Sequence, residues 1–134
     1  ISKLSNVISI NGGVQLDLMG QENAESTGTR QLSGVGGQMD FLEGAYRSKG
    51  GKGFICINSS RVTKDGERKS NILATIPGGS TISAPRTMIQ YVATEYGIAS
   101  LSGKTLRERA EAMASIAHPD FREELMKYAQ ENFK

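Results

Sequence analysis

Glycine punctuates the first hundred residues so closely that only short elements fit between the breaks. Gly12-Gly13, Gly20, Gly34-Val35-Gly36-Gly37, Gly50-Gly51, Gly53, Gly66 and Gly78-Gly79 divide the chain into brief apolar runs, and such clusters mark turns rather than element interiors. Val7 to Ile10 reads as a strand. From Val14 to Leu18, Val14, Leu16 and Leu18 alternate with Gln15 and Asp17, the pattern of a strand buried on one face. Asn23 to Arg30 is polar, a loop or short edge strand. Gln38 to Tyr46 places Met39, Leu42, Ala45 and Tyr46 at helical spacing, with Gly44 costing about 1 kcal/mol relative to alanine. Phe54 to Ile57 is too short for a helix and has the apolar continuity of a strand covered on both faces. Lys64-Asp65-Gly66-Glu67 carries the Asp-Gly hairpin signal, with Ile72, Leu73 and Ile76 expected on the returning strand. Thr81 to Ala84 is expected as a short strand, Pro85 to Ile89 as a turn of helix, and Tyr91 to Ala93 as a buried strand.

The last third changes character. Thr105 and Glu108 have the spacing of a capping box, and Leu106, Ala110, Met113 and Ala117 make the inward stripe of a helix. His118-Pro119-Asp120 opens another, with proline at its first position, and Phe121, Leu125, Tyr128 and Ala129 form its apolar face. The charged runs Arg107-Glu108-Arg109 and Arg122-Glu123-Glu124 read as solvated surface. Strands early, interleaved helices and a helical end give a single α/β domain over 1–134 with a mixed sheet.

Composition removes several classes of function. No apolar run reaches the length of a membrane span. Sixteen Lys and Arg against fourteen Asp and Glu leave a charge of +2, scattered along the chain, so neither nucleic acid nor membrane is expected as a partner. The single cysteine, Cys56, excludes an internal disulfide and a cysteine-built zinc site; it reads as a small buried hydrophobe. One thiol and no signal-peptide pattern lead to the expectation of a cytoplasmic protein, and no metal site is expected. Ile1 followed at once by a strand suggests a fragment.

Chemistry is most legible at Gly34-Val35-Gly36-Gly37. A helix start presents unpaired N–H groups and the positive end of the dipole, and glycine lets a ligand approach the backbone. Such a loop suits an anion or the oxyanion of acyl transfer, although on these residues alone an ordinary tight turn is the more common explanation. Two nucleotide signatures fail: the loop lacks the third spaced glycine of a dinucleotide fingerprint, and Gly97 to Thr105 puts five residues between glycines where a P-loop has four. Asp40 and Glu95 are buried organisers or catalytic acids. Lys64, Arg68 and Lys69 are solvated surface or a phosphate clamp.

Several motifs in order, Ile10 to Gly20, Ser33 to Phe41, Ser48-Lys49-Gly50-Gly51, Tyr91 to Ala99, Gly103 to Ala110 and Ala117 to Arg122, closely resemble the C-terminal domain of the acetyl-CoA hydrolase/transferase family. Among its members the 4-hydroxybutyrate and butyryl-CoA:acetate CoA-transferases are most similar. The resemblance implies a CoA-transferase-like fold and transfer of CoA between acetyl-CoA or another acyl-CoA and a short-chain carboxylate through a glutamyl-CoA thioester. It implies that Gly37, with Gly36 beside it, offers amides to the developing oxyanion, that Gly37, Met39 and Lys64 contact CoA, and that the enzyme is a homo-oligomer. It further implies that the nucleophilic glutamate lies in an upstream segment of the same enzyme, since none of Glu25, Glu43 and Glu95 has the family's context. An acyl-CoA hydrolase and a noncatalytic anion- or nucleotide-binding module are the alternatives.

Overall fold

A computed structural model describes all residues, Ile1–Lys134. Along the chain come β1 (Ile8–Gly12), β2 (Gln15–Asp17), β3 (Glu22–Asn23), β4 (Ser26–Thr27), β5 (Arg30–Gln31) and α1 (Gln38–Arg47). They are followed by β6 (Lys52–Cys56), β7 (Ser60–Val62), β8 (Arg68–Ser70), β9 (Ile72–Leu73), β10 (Tyr91–Thr94), β11 (Gly97–Ser100), α2 (Leu106–Ser115) and α3 (Pro119–Asn132). The main sheet has the order β1-β6-β10-β11, the first three parallel and β11 antiparallel. A second sheet, β3-β2-β9, and the hairpins β4–β5 and β7–β8 complete a mixed α/β architecture of the class expected.

Register divides the main sheet into two unlike faces. Ser9, Gly53, Ile55, Val92 and Ala99 share one face, where Ile55 and Val92 are fully buried. α1 lies against this face, so closely that a Cβ on Gly53 would stand 3.2 Å from Leu42. α2 packs on β11 and α3 on α2, and the Thr94 hydroxyl donates to the Ile116 carbonyl at 2.7 Å. Leu16, Leu18, Leu42, Ile72, Leu101 and Met113 join the two sheets and the helices into one core. The opposite face carries Ile8, Ile10, Phe54, Cys56, Tyr91, Ala93 and Ile98, and no helix covers it.

That asymmetry overturns two expectations. β6 is covered on one face only, and Cys56 is exposed rather than buried, because it points to the side without helices. β2 departs in the other sense: Gln15 and Asp17 are buried along with Leu16, since β2 is the middle strand of its sheet. Asp17 is satisfied there by the Met19 and Gln21 N–H groups and the Gln21 side chain, at 2.7 to 3.0 Å.

The hairpin turn forms where expected, with Gly66 at φ +82°, but its returning strand is Arg68–Ser70. Ile72 and Leu73 leave it to pair with β2. Thr81 to Ala84 contributes only one bridge, Glu22 to Ala84, and Pro85 to Ile89 is a turn closed by the Met88 N–H on the Pro85 carbonyl at 2.9 Å, not a helix. Both helix starts hold: the Thr105–Glu108 capping box is complete, and His118 Nδ1 accepts from the Asp120 N–H at 3.2 Å. The stripe of α2, however, runs through Arg109, Ala110, Met113 and Ala114 and leaves Leu106 40% exposed. Arg109, read as surface from sequence, is buried. Its guanidinium donates to the carbonyls of Met19, Arg86 and Leu101 at 2.8 to 2.9 Å.

Candidate active site at the glycine-rich loop

In a parallel sheet the carboxyl ends of the strands are where ligands bind, because the chain turns there into loops and helix N-termini. β1, β6 and β10 end together at Gly12, Cys56 and Thr94. Outside them is a cleft of about 420 Å³ lined by Gly13, Cys56, Ile57, Asn58, Ala93 and Thr94. α1 connects β1 to the parallel strand β6, so its N-terminus returns to this end of the sheet.

The loop before α1 is held at both ends and open in its middle. On the entry side the Leu32 and Ser33 N–H groups donate to the Glu25 carbonyl at 2.6 and 3.2 Å. The Glu25 carboxylate in turn accepts from Ser83 Oγ at 2.6 Å and from Gln31 Nε2 at 3.2 Å. On the exit side Gln38, the first residue of α1, donates its amide to both carboxylate oxygens of Glu22 at 2.7 Å. Between these anchors Gly34, Val35, Gly36 and Gly37 are exposed, and none of their N–H groups donates to a partner within the chain. Gly36 has φ +60°, a conformation that glycine adopts without strain. The bend is therefore not consumed by internal hydrogen bonds, which leaves its amides available to an anion.

Glu22 is the residue that sequence reasoning missed. It lies in a polar stretch with no apolar periodicity, yet it is fully buried. Its carboxylate stands against Gly13, where a Cβ would come within 2.6 Å of Glu22 Oε1, so it links the cleft wall to the start of α1. Burial pushes its carboxyl from 4.5 up to about 7, with the Gln38 hydrogen bond pulling the other way.

The remaining sequence candidates are placed less centrally. Met39 is half-buried and packs against the core. Lys64 is exposed in the turn between β7 and β8 and forms no ion pair. Arg68 and Lys69, its expected companions, are engaged on their own hairpin, with Ser60 at 3.0 Å and Glu67 at 3.6 Å, so the three do not converge as a clamp. Asp40 is exposed in the first turn of α1, a favourable place for negative charge. Glu95 accepts from the Ser59 N–H and hydroxyl at 2.9 and 2.6 Å. Desolvation raises its carboxyl, but these hydrogen bonds outweigh it and leave the group below its ordinary value, an organiser's setting rather than a general acid's.

The chain matches the family model of the acetyl-CoA hydrolase/transferase C-terminal domain over residues 1–129. It is similar to a butyryl-CoA:acetate CoA-transferase of Anaerostipes caccae, 48% identical over 130 residues, covering 97% of this chain and 29% of that protein. A 4-hydroxybutyrate coenzyme A transferase of Clostridium kluyveri is 50% identical over 133 residues, covering 99% of this chain and 30% of that protein. Among solved structures, RipA from Yersinia pestis superimposes with a TM-score of 0.82 at 41% identity, over 95% of this chain and 28% of that one. The chain thus spans under a third of the length of these relatives.

Proposed function

Since the chain belongs to the acetyl-CoA hydrolase/transferase C-terminal domain family, we propose that it is the CoA-binding, oxyanion-stabilising part of a CoA-transferase acting between an acyl-CoA and a short-chain carboxylate such as butyrate or 4-hydroxybutyrate. The observation that carries this reading is the row of N–H groups from Gly34 to Gly37 that donate to nothing within the chain, at the start of α1. A carboxylate attacking a thioester carbonyl forms a C–O bond and drives the carbonyl electrons onto oxygen; collapse breaks the C–S bond and releases the CoA thiolate. Amides at Gly36 and Gly37 stabilise that oxyanion, where loss of one donor typically costs about 3 to 4 kcal/mol. The glutamate that attacks, and later carries CoA as a thioester, comes from the part of the enzyme outside these residues. Met39 and Lys64 are assigned to CoA contacts. Identity near one half to relatives named as transferases favours a carboxylate over water as the acceptor.

The test uses the full-length enzyme that carries this domain. Gly37→Val is expected to lower kcat for transfer from acetyl-CoA to butyrate by about 10²-fold or more while the enzyme stays folded by circular dichroism. A folded Gly37→Val enzyme with unchanged kcat removes the loop from the mechanism. Acetyl-CoA consumption that is indifferent to added carboxylate would make the enzyme a hydrolase. Binding of inorganic phosphate at the Gly36 and Gly37 amides as tight as that of CoA would reduce the domain to an anion-binding module.

A further inference from the structure

α1 begins without a cap of its own. Gly37, its N-cap, brings no side chain to the free N–H groups, where Ser, Thr, Asp or Asn ordinarily holds a helix start. From Gly34 to Asp40 only Gln38 has its side chain in a hydrogen bond, and both of its bonds, at 2.7 Å, go to Glu22. Glu22 is the fixed end of this tether. It sits in β3 opposite Leu16, its N–H donates to the Ala84 carbonyl at 3.0 Å, and its carbonyl accepts from the Ser83 N–H at 2.8 Å. The other end adjoins Gly37 directly, so whatever turns Gln38 turns the amides that would face an oxyanion.

The surroundings of the tether suit an acid without charge. Glu22 is fully buried, and one nitrogen serves both of its oxygens. The titratable groups on the elements around it are engaged elsewhere. On β2, Asp17 is bound by Gln21 at 2.7 Å; past Ala84, Arg86 is exposed and reaches the Met19 sulphur at 3.6 Å. Glu25 is held by Ser83 and Gln31, and on α1 Asp40 is exposed while Glu43 pairs with Arg47 at 2.7 Å. Beyond Gly13, toward β6, stand Ile55 and Ile57. No cation offsets a charge on Glu22, so burial favours the neutral form. We infer that Glu22 is a positioning residue for the proposed transfer, acting through Gln38: it pins the first turn of α1 so that Gly36 and Gly37 face the thioester oxygen, and it does so as a neutral acid. Ionised, it sets a negative charge beside the place where the oxyanion forms. That charge opposes one that exists only in the transition state, so its effect falls on kcat rather than on KM.

This inference rests on the transferase reading. In the full-length enzyme, kcat for transfer from acetyl-CoA to butyrate is expected to fall roughly tenfold between about pH 6 and about pH 8.5 with KM for acetyl-CoA little changed. Glu22→Gln, which keeps an acceptor for Gln38 and cannot ionise, should lose that alkaline fall. Gln38→Leu, which frees the helix start and leaves Glu22 in place, should lower kcat roughly tenfold at about pH 6. A merely structural Glu22 would move the urea midpoint of its variant and leave the pH profile of kcat alike in parent and Glu22→Gln; that result overturns the inference. So does a Gln38→Leu enzyme, folded by circular dichroism, with the parent's kcat. Where Gly37→Val lowers kcat in the same assay, either result refutes the role of Glu22 alone and leaves the functional reading standing. Where Gly37→Val is also without effect, the reading falls and the inference with it.

Discussion

Single residues around the loop separate stability from activity. Gly36, at φ +60°, should lose about 1 kcal/mol on substitution by alanine, since a Cβ is strained there. A Cβ on Gly37 meets only the Phe41 ring, at 3.7 Å, so Gly37→Ala is expected to unfold within about 0.5 kcal/mol of the parent in urea. Glu22 makes a pH prediction. Its carboxyl binds a proton more tightly folded than unfolded, so its contribution is fully present below pH 4.5 and is lost as pH rises through about 7. The gap corresponds to ~3 kcal/mol at most. Glu22→Gln keeps an oxygen for the Gln38 amide and cannot ionise. It should be more stable than the parent at pH 8 and equal to it near pH 4, by urea denaturation at each pH; parallel pH curves would exonerate Glu22. Arg109 offers the largest loss. Removing its guanidinium leaves three carbonyls without donors, and Arg109→Ala should cost about 3 kcal/mol or more, by the same measurement.

At the scale of elements, those with local signals were legible. Thr105 and Glu108 announce α2, and Thr105→Ala is expected to cost about 1 kcal/mol in thermal denaturation. His118-Pro119 starts α3 and Asp65-Gly66 turns the hairpin, again because side chains close to the bend satisfy its backbone. What could not be read depends on partners distant in sequence. Arg109 sits next to Ala110 on a helix whose stripe is turned from the one Leu106 suggests, and its burial is made tolerable by the carbonyls of Met19, Arg86 and Leu101, the first two far away in sequence. β11 was hidden by the near-match of Gly97 to Thr105 to a phosphate loop. Cys56 lies in an apolar run, but apolar type records a need for cover and not its presence in these residues.

For the whole molecule, the α/β class and the position of the glycine-rich loop at the start of α1 follow from sequence, whereas the cleft wall does not. Glu22, Gly13 and Gln38 come from three separate segments, and no spacing within any one of them reveals their meeting. If the attacking glutamate lies outside these residues, the 134-residue chain alone should release no CoA from acetyl-CoA. A thiol assay checks this, and sustained release would place a nucleophile within the chain.

The contact between Gly13 and Glu22 also bears on which sequences can be reached from this one. A Cβ at position 13 falls 2.6 Å from the glutamate oxygen and 3.1 and 3.3 Å from methyl groups of Ile57 and Ile55, so alanine there requires the Glu22 carboxyl to withdraw and both isoleucines to give by a few tenths of an ångström. Shortening residue 22 first would relieve the closest of these contacts, at the expense of the Gln38 hydrogen bonds that the Glu22 carboxyl accepts, so the two positions are expected to change together rather than singly.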